Sequence, residues 1–246
     1  MRNLGIAKST EKAISLCHGV LCVGQDGDDV ALPNRVARIV EAWENDGRRA
    51  TVVVHEYYEM VDDRIVGRFK FADDAVVAER GAVMAFSPRV VSDFPPIEEI
   101  EAWDDWVMGN RGVLLGPLLM IREPLLNYRL GGMSTTVGGR EWFNKTRSGL
   151  YRRRAAARQM LMDRNMISPS DPDLYSKWIA SFEVSDNFSS AFFALTEGPL
   201  MGRVRAYCKE VRSNGCMRLL GFGFFLPPFF RDWYFRLYFS MVSFRH

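Results

Sequence analysis

The sequence predicts an α/β fold, and three observations lead to this prediction. Apolar runs of strand length alternate with stretches in which apolar residues recur at helical spacing. Gly, Pro and Asp separate these stretches, as they do at turns. With 246 residues, of which 48% are hydrophobic and 25% charged, the chain has the composition of a globular protein and can bury a sizeable core. Strand–helix alternation of this kind is typical of a layered α/β fold.

The first elements are a predicted helix, a predicted strand and a second predicted helix. Apolar residues recur at near-helical spacing through residues 4–17. The short apolar run Val20–Val23 predicts a strand that is buried on both faces. Pro33 then opens a helix, because proline is favoured in the first helical turn, and Gly47 ends it.

A second strand and a hairpin follow. The run Thr51–Tyr58 is apolar and rich in β-branched and aromatic residues, which predicts a buried strand. The next segment, V-D-D-R-I-V-G-R-F, predicts a hairpin that turns at Asp62 and Asp63.

Three carboxylates come directly after the first predicted strand, at Asp26, Asp28 and Asp29. Open α/β sheets place their ligand crevices at the carboxyl ends of their strands, and Asp-x-Asp oxygens suit Mg²⁺ or Mn²⁺. Asp is also a common turn former and helix N-cap. The residues alone therefore leave two interpretations open, a metal site and a solvated turn.

Composition and cysteine usage narrow the classes of protein. The net charge of +2 does not by itself indicate a nucleic-acid partner. Four cysteines form no C-x-x-C pair and have no histidines at zinc spacing, so neither a zinc site nor a disulfide framework is expected. No apolar run approaches the roughly 18–20 residues of a membrane span, and no signal peptide is recognisable. We expect a cytoplasmic protein.

Three motifs in a fixed order carry a resemblance to a known family. They are D-G-D-D-x-x-x-P-x-R, then A-W-D-D-W-x-x-x-x-R, then E-P-L-x-x-Y-R. In this order and over residues 3–165, the chain resembles the inverting glycosyltransferases of family 2, which have the GT-A fold. The matching residues are Asp26, Asp28, Asp29, Pro33, Arg35, Gly81, Asp104, Asp105, Trp106, Arg111, Gly116, Glu123, Pro124, Leu125, Tyr128 and Arg129.

The resemblance implies transfer of a sugar from a nucleoside-diphosphate sugar to a hydroxyl acceptor. In such enzymes Asp28, with Asp26 or Asp29, would hold Mn²⁺ or Mg²⁺ against the donor diphosphate. Asp105 would be the general base that takes the proton of the acceptor hydroxyl. Asp104 stands where the family usually has Glu and would be an acceptor-site or structural anion. The pair could also simply cap a helix.

Two arginines of the motifs have two implied roles each. Arg111 would either position the helix that carries Asp105 or contact the donor phosphates. Arg129 would do the same from the last of the three motifs. As single residues, both could equally be salt-bridge partners.

The resemblance also implies that part of the family's fold is missing. Family members begin with strands that build the nucleoside-binding half, whereas this sequence starts at the helix before the metal-binding strand. We therefore expect residues 1–139 to form a partial GT-A, Rossmann-like domain whose exposed sheet edge is covered by a partner chain or a second copy. The alternative function is a non-catalytic binding or interaction protein derived from a glycosyltransferase.

The last third of the sequence predicts two further parts. Residues 140–167 read as a basic helical segment, with eight Lys or Arg against two acids. It forms either a solvated face or a contact with an anionic surface; without interleaved aromatic residues, nucleic acid is not the expected partner. Residues 168–246 form an aromatic-rich helical extension. Within it, residues 215–246 could lie on the inner face of the cytoplasmic membrane or against a partner. Membrane contact would suit a lipid-linked or surface-polysaccharide acceptor.

Overall fold

The computed structural model describes residues 4–71, 81–130, 140–180 and 201, with the backbone alone for 140–147. Five helices and six strands make up the described parts: α1 (Ile6–Ser15), β1 (Cys22–Val23), β2 (Val30–Ala31), α2 (Arg35–Asn45), β3 (Val52–Val61), β4 (Arg64–Phe69), β5 (Met84–Phe86), α3 (Arg89–Ser92), α4 (Asp104–Leu115), β6 (Leu118–Arg129) and α5 (Arg140–Met166). Residues 172–180 are also helical.

One six-stranded mixed sheet organises the molecule. Its order is β1-β5-β3-β6-β2, and β4 pairs with the far half of β3. Strands β3 and β6 run parallel, and every other pairing is antiparallel. Strand β3 is connected to its parallel neighbour β6 by a long crossover that contains β4, β5, α3 and α4. The expected mixed α/β architecture is confirmed at this level.

The helices and the hairpin lie where the local patterns predicted them. Helices α1 and α2 fall inside the predicted ranges, a residue or two shorter at each end. Strand β3 begins at Val52, one residue into the predicted run, and continues to Val61. Asp62 and Asp63 both have positive φ angles, 45° and 61°, as the tight hairpin between β3 and β4 requires.

The first strand is shorter and less buried than predicted. Only Cys22 and Val23 pair with β5. Cys22 is buried and Val23 half-buried, whereas Val20 is 68% exposed because the chain has not yet joined the sheet there. Burial on both faces was therefore a wrong prediction for the start of this run.

Glycines let α4 pack directly on the sheet and on the segment that follows α5. A Cβ added at Gly112 would lie 1.8 Å from Cγ2 of Val52, so only glycine permits this contact between helix and strand. A Cβ at Gly109 would lie 2.7 Å from the ring of Trp178, whose side chain is fully buried. The helical segment 172–180 therefore belongs to the same core as the sheet.

Buried polar groups attach α5 to the rest of this core. Asp163 on α5 accepts hydrogen bonds from Arg111 on α4 at 2.8 and 3.2 Å, and both side chains are fully buried. The side-chain oxygen of Gln159 accepts from the backbone N–H groups of Glu98 and Glu99. The basic segment is therefore not a helix that is solvated all round.

Contacts divide the chain into two compact units. The first comprises Met1–Thr135 and Tyr151–Phe182, and the second Thr136–Leu150 and Glu183–His246. The domain limits expected at residues 139 and 167 stay a prediction. Among the described residues, no helix combines the length and the apolar character needed to cross a bilayer. The surface contact predicted for residues 215–246 lies outside the described residues.

Candidate functional site

A cleft of about 650 Å³ opens in the first unit, between α1, the end of β1 and the start of α4. Asp26, from the turn after β1, lines one part of it. Asp104 and Asp105, the first two residues of α4, line another. Residues that are 78 or more positions apart in the sequence thus share one cavity.

We name Asp26, Asp28 and Asp29 the acidic turn. One carboxylate oxygen of each residue lies within 4.8 Å of those of the other two. Asp29 is 7% exposed, and its Oδ1 accepts a hydrogen bond of 2.9 Å from the backbone N–H of Arg129. Its Oδ2 is buried and has no hydrogen-bond partner among the described residues. A buried carboxylate oxygen without a donor is costly, and a bound cation would remove that cost.

The acidic turn is electrostatically strained and coupled to the start of α4. Burial raises the pKa of Asp26, and the negative charges of Asp104 and Asp28 raise it further. Burial also raises the pKa of Asp29, against the hydrogen bond that its carboxylate accepts from the Arg129 backbone. The influence of Asp104 on Asp26 means that the two acidic groups act on each other across the cleft.

Arg129 holds the acidic turn from β6. Its Nε donates to the backbone oxygen of Asp28 at 2.9 Å, and its Nη2 donates to Oδ1 of Asp63 at 2.8 Å. Together with the backbone bond to Asp29, the bond to Asp28 holds the Asp28–Asp29 end of the turn. Arg129 is not part of the cleft lining, and its side chain contacts the acidic turn and the β3–β4 turn.

The Asp pair begins α4 without capping it. The N-cap residue is Trp103, which makes no side-chain capping bond. Oδ2 of Asp104 accepts a hydrogen bond of 2.6 Å from the hydroxyl of Thr10, and Oδ1 of Asp105 accepts from the backbone N–H of Trp106 at 2.8 Å. Acidic groups are favourable in the first turn of a helix because of its dipole. These contacts fix both carboxylates at the wall of the cleft.

Arg111 lies away from the cleft lining. Besides Asp163, its guanidinium contacts Glu11 at 3.3 Å and donates to backbone oxygens of Val90 and Pro95. It also sits over the ring of Phe94 at 4.8 Å. Of the two roles implied for Arg111, this geometry favours positioning α4 over contact with a ligand.

Arg35, a residue of the first motif, is buried and holds the end of β1 through hydrogen bonds to backbone oxygens. Its Nη2 donates to the backbone oxygens of Gly24 and Ala82 at 2.7 and 2.6 Å, and its Nε donates to Nε2 of His55 at 2.9 Å. Desolvation lowers the pKa of Arg35 to about 10. Burial, together with the charge of Arg35, lowers the pKa of His55 to about 4. Nε2 of His55 therefore accepts, and its Nδ1–H donates to the oxygen of Glu56.

Three of the cleft residues that the sequence analysis did not single out bear on the chemistry of the cleft. They are Thr10, from α1, and Arg152 and Arg153, from α5. Arg153 lies over the rings of Trp103 and Trp106, at 5.2 and 5.3 Å from their centroids. The sequence shows the run of three arginines at 152–154. That two of them face the same cleft as the Asp pair depends on how α5 packs, which no local sequence pattern encodes.

Comparison with known proteins gives a fold likeness only. No family model matches this sequence, and no curated protein matches it. Among solved structures, the chain is similar to residues 1–349 of TarS from S. aureus in complex with UDP-GlcNAc. The TM-score is 0.51 and the sequence identity 12%, over 87% of this chain and 63% of that chain. The fold is glycosyltransferase-like. The match spans 63% of the TarS chain, and the resemblance to family 2 rests on the sequence motifs alone.

Proposed function

We propose that this chain binds a nucleoside-diphosphate sugar through a divalent cation at the acidic turn and transfers the sugar to a hydroxyl acceptor with inversion. The observation that carries this proposal is the shared cleft, which brings Asp26 together with Asp104 and Asp105. The likeness to a structure that holds UDP-GlcNAc supports a nucleotide-sugar donor. The acceptor would be a glycan or a lipid-linked sugar.

The residues of the acidic turn fit Mn²⁺ or Mg²⁺. Hard divalent cations take oxygen ligands from one or two carboxylates and from phosphates. Asp28, with Asp26 or Asp29, would hold the cation, and the buried Oδ2 of Asp29 is the oxygen that most lacks a positive partner. The bound cation would offset the negative charge that develops on the leaving nucleoside diphosphate. Arg129 would keep the turn in place from β6.

Asp105 would be the general base. Its carboxylate faces the cleft at the first turn of α4, where it can take the proton of an acceptor hydroxyl as that hydroxyl attacks the anomeric carbon. Asp104 would hold the start of α4 against α1 through its hydrogen bond from Thr10. Its carboxylate would also add negative charge near Asp26. Arg111 would fix α4 from the buried side.

The donor part is tested by calorimetric titration of the full chain with UDP, with Mn²⁺ and with EDTA. We expect binding only with Mn²⁺, and loss of that binding in Asp28→Ala. The matched control is Asp62→Asn, which removes an exposed carboxylate of the β3–β4 turn, where Asn tolerates the positive φ. UDP binding that survives both EDTA and Asp28→Ala would reject the metal site.

The catalytic part is tested with Asp105→Asn. This variant should bind Mn²⁺ and UDP as the unaltered chain does, while sugar transfer from UDP-GlcNAc stops. Undiminished transfer by the variant would remove Asp105 as the base. Donor binding without any transfer by the unaltered chain would favour the alternative, a non-catalytic binding protein.

A further inference from the structure

Two arginines of α5 place positive charge in a cleft whose other ionisable groups include three aspartates. Arg152 and Arg153 are both half-buried and both line the cleft. Arg153 lies over the rings of Trp103 and Trp106. These tryptophans flank the Asp pair in the sequence, so Arg153 lies on the α4 side of the cleft.

Arg152 differs in its partners from Arg158 and Arg164 of the same helix. Arg158 forms a bidentate pair with Glu99, at 2.6 and 2.9 Å, and Arg164 lies over the ring of Tyr175. For Arg152, no hydrogen bond or ion pair occurs within the described part of the chain. A half-buried guanidinium carries five N–H donors and loses part of its hydration, so it favours an anionic ligand.

The position of the arginines assigns them to the acceptor rather than to the donor. In the proposed function the donor diphosphate lies at the acidic turn, and the acceptor hydroxyl approaches Asp105. Asp26, Asp104 and Asp105 would repel an acceptor that carries a negative charge. Two guanidinium groups beside the Asp pair would offset this repulsion and would bind an oxyanion through paired N–H donors.

We propose that Arg152 and Arg153 form an anion subsite that binds a phosphate or carboxylate group carried by the acceptor. This inference rests on the proposed function and makes it more specific, because it restricts the acceptor to anionic polyols or saccharides. The hydroxyl that reacts would lie next to the anionic group, within reach of Asp105.

The test titrates the full chain, saturated with Mn²⁺ and UDP, with four small probes. Glycerol 3-phosphate and glucuronate carry a phosphate and a carboxylate, and glycerol and glucose are their neutral counterparts. We expect at least one anionic probe to bind and the neutral ones not to. The stronger anionic probe indicates whether the acceptor group is a phosphate or a carboxylate.

Variants connect this binding to the two arginines. Arg152→Gln and Arg153→Gln should each lower the affinity for the anionic probe by about tenfold, because each removes a charged hydrogen-bond donor. Arg152→Lys should restore part of the affinity. Arg158→Gln is the matched control, because Arg158 lies on the same helix but pairs with Glu99 outside the cleft. It should leave the affinity for the anionic probe unchanged.

Three results would overturn the inference. Anionic and neutral probes could bind alike, or Arg152→Gln and Arg153→Gln could leave the anionic probe unaffected. The two variants could also weaken Mn²⁺–UDP binding as strongly as probe binding, which would assign the arginines to the donor. The same titrations without nucleotide separate this inference from the proposed function. If the chain does not bind UDP but binds the anionic probe through Arg152, the proposed function is rejected and the anion subsite is not.

Discussion

The acidic turn and the buried pair of Arg111 and Asp163 are both clusters of charge. Among the described residues, only the buried pair has hydrogen-bond partners for all its charged groups. Every donor group of Arg111 contacts an oxygen of Asp163, Glu11 or the backbone, and Asp163 accepts a further bond from Gln159. In the acidic turn three carboxylates are crowded together, and the Oδ2 of Asp29 has no donor in the described residues.

This difference separates a charge pair that stabilises the fold from a charge cluster to which the proposed function assigns a ligand. A buried ion pair with all its hydrogen bonds made holds two elements together, here α4 and α5. In the acidic turn, burial raises the pKa values of Asp26 and Asp29, and under the proposed function a bound cation would offset this unfavourable charge. The motifs contain Arg111 as well as the three aspartates of the acidic turn, and only the contacts distinguish their roles.

The largest effect should come from breaking the satisfied pair. Arg111→Leu leaves Asp163 charged and buried, and should lower the free energy of unfolding by about 3–5 kcal/mol. Urea denaturation followed by circular dichroism measures this. Arg111→Leu combined with Asp163→Leu should regain most of the loss, since no isolated charge remains. A loss for Arg111→Leu no larger than that for Asp28→Asn would contradict the division into two kinds of cluster.

The second effect concerns His55, which is buried against the charge of Arg35. Its pKa of about 4 lies below its ordinary 6.5, so between these values the unfolded chain binds a proton that the folded chain does not. The free energy of unfolding should therefore fall by up to about 3 kcal/mol from pH 6.5 to pH 4 because of this residue. The contribution of His55 is measured by urea denaturation of the unaltered chain and of His55→Gln at several pH values. Equal pH slopes in the two proteins would rule the effect out.

A smaller effect should follow from loosening the support of the acidic turn. Arg129→Gln removes the partly exposed pair with Asp63 and the bond to the Asp28 oxygen, but keeps the backbone bond to Asp29. The free energy of unfolding should fall by about 0.5–1 kcal/mol. Affinity for Mn²⁺ should fall as well, because the turn is less well fixed. An unchanged Mn²⁺ affinity would show that Arg129 does not order the metal ligands.

The smallest change in stability should have the opposite sign. Because burial raises the pKa of Asp29, its ionised form is less favourable in the folded chain than in the unfolded chain at pH 7, and Asp29→Asn should slightly raise the free energy of unfolding. Asn can still accept the Arg129 bond through Oδ1. Mn²⁺ affinity, measured on the same preparation, should fall by at least about tenfold. A destabilised variant with unchanged Mn²⁺ affinity would place Asp29 with Arg111 among the structural charges.

Much of the fold could be predicted because its signals are local. The helical spacing of α2, the β-branched run of β3 and the Asp62–Asp63 turn each specify their element within a few residues. The start of β1 could not be predicted in this way, because the apolar character of Val20 gives no information on whether the sheet extends to it.

The candidate site was predictable in part. The motifs pointed to Asp26 and to the Asp pair, which the structure brings into one cleft. They did not show that Thr10 contacts Asp104 across 94 positions, nor that Arg111 has its partner 52 positions away. Such contacts depend on the packing of α1 and α5 against α4, which arises from the whole core rather than from any window of sequence.

Diffraction from crystals grown with Mn²⁺ and UDP tests the central claim most directly, because manganese can be located by its anomalous signal. We predict a manganese peak bound by carboxylate oxygens of Asp28 and of Asp26 or Asp29, with the diphosphate in the cleft that Asp104 and Asp105 line. Manganese or nucleotide bound at another surface, with the acidic turn and the Asp pair left in contact with water alone, would contradict the account.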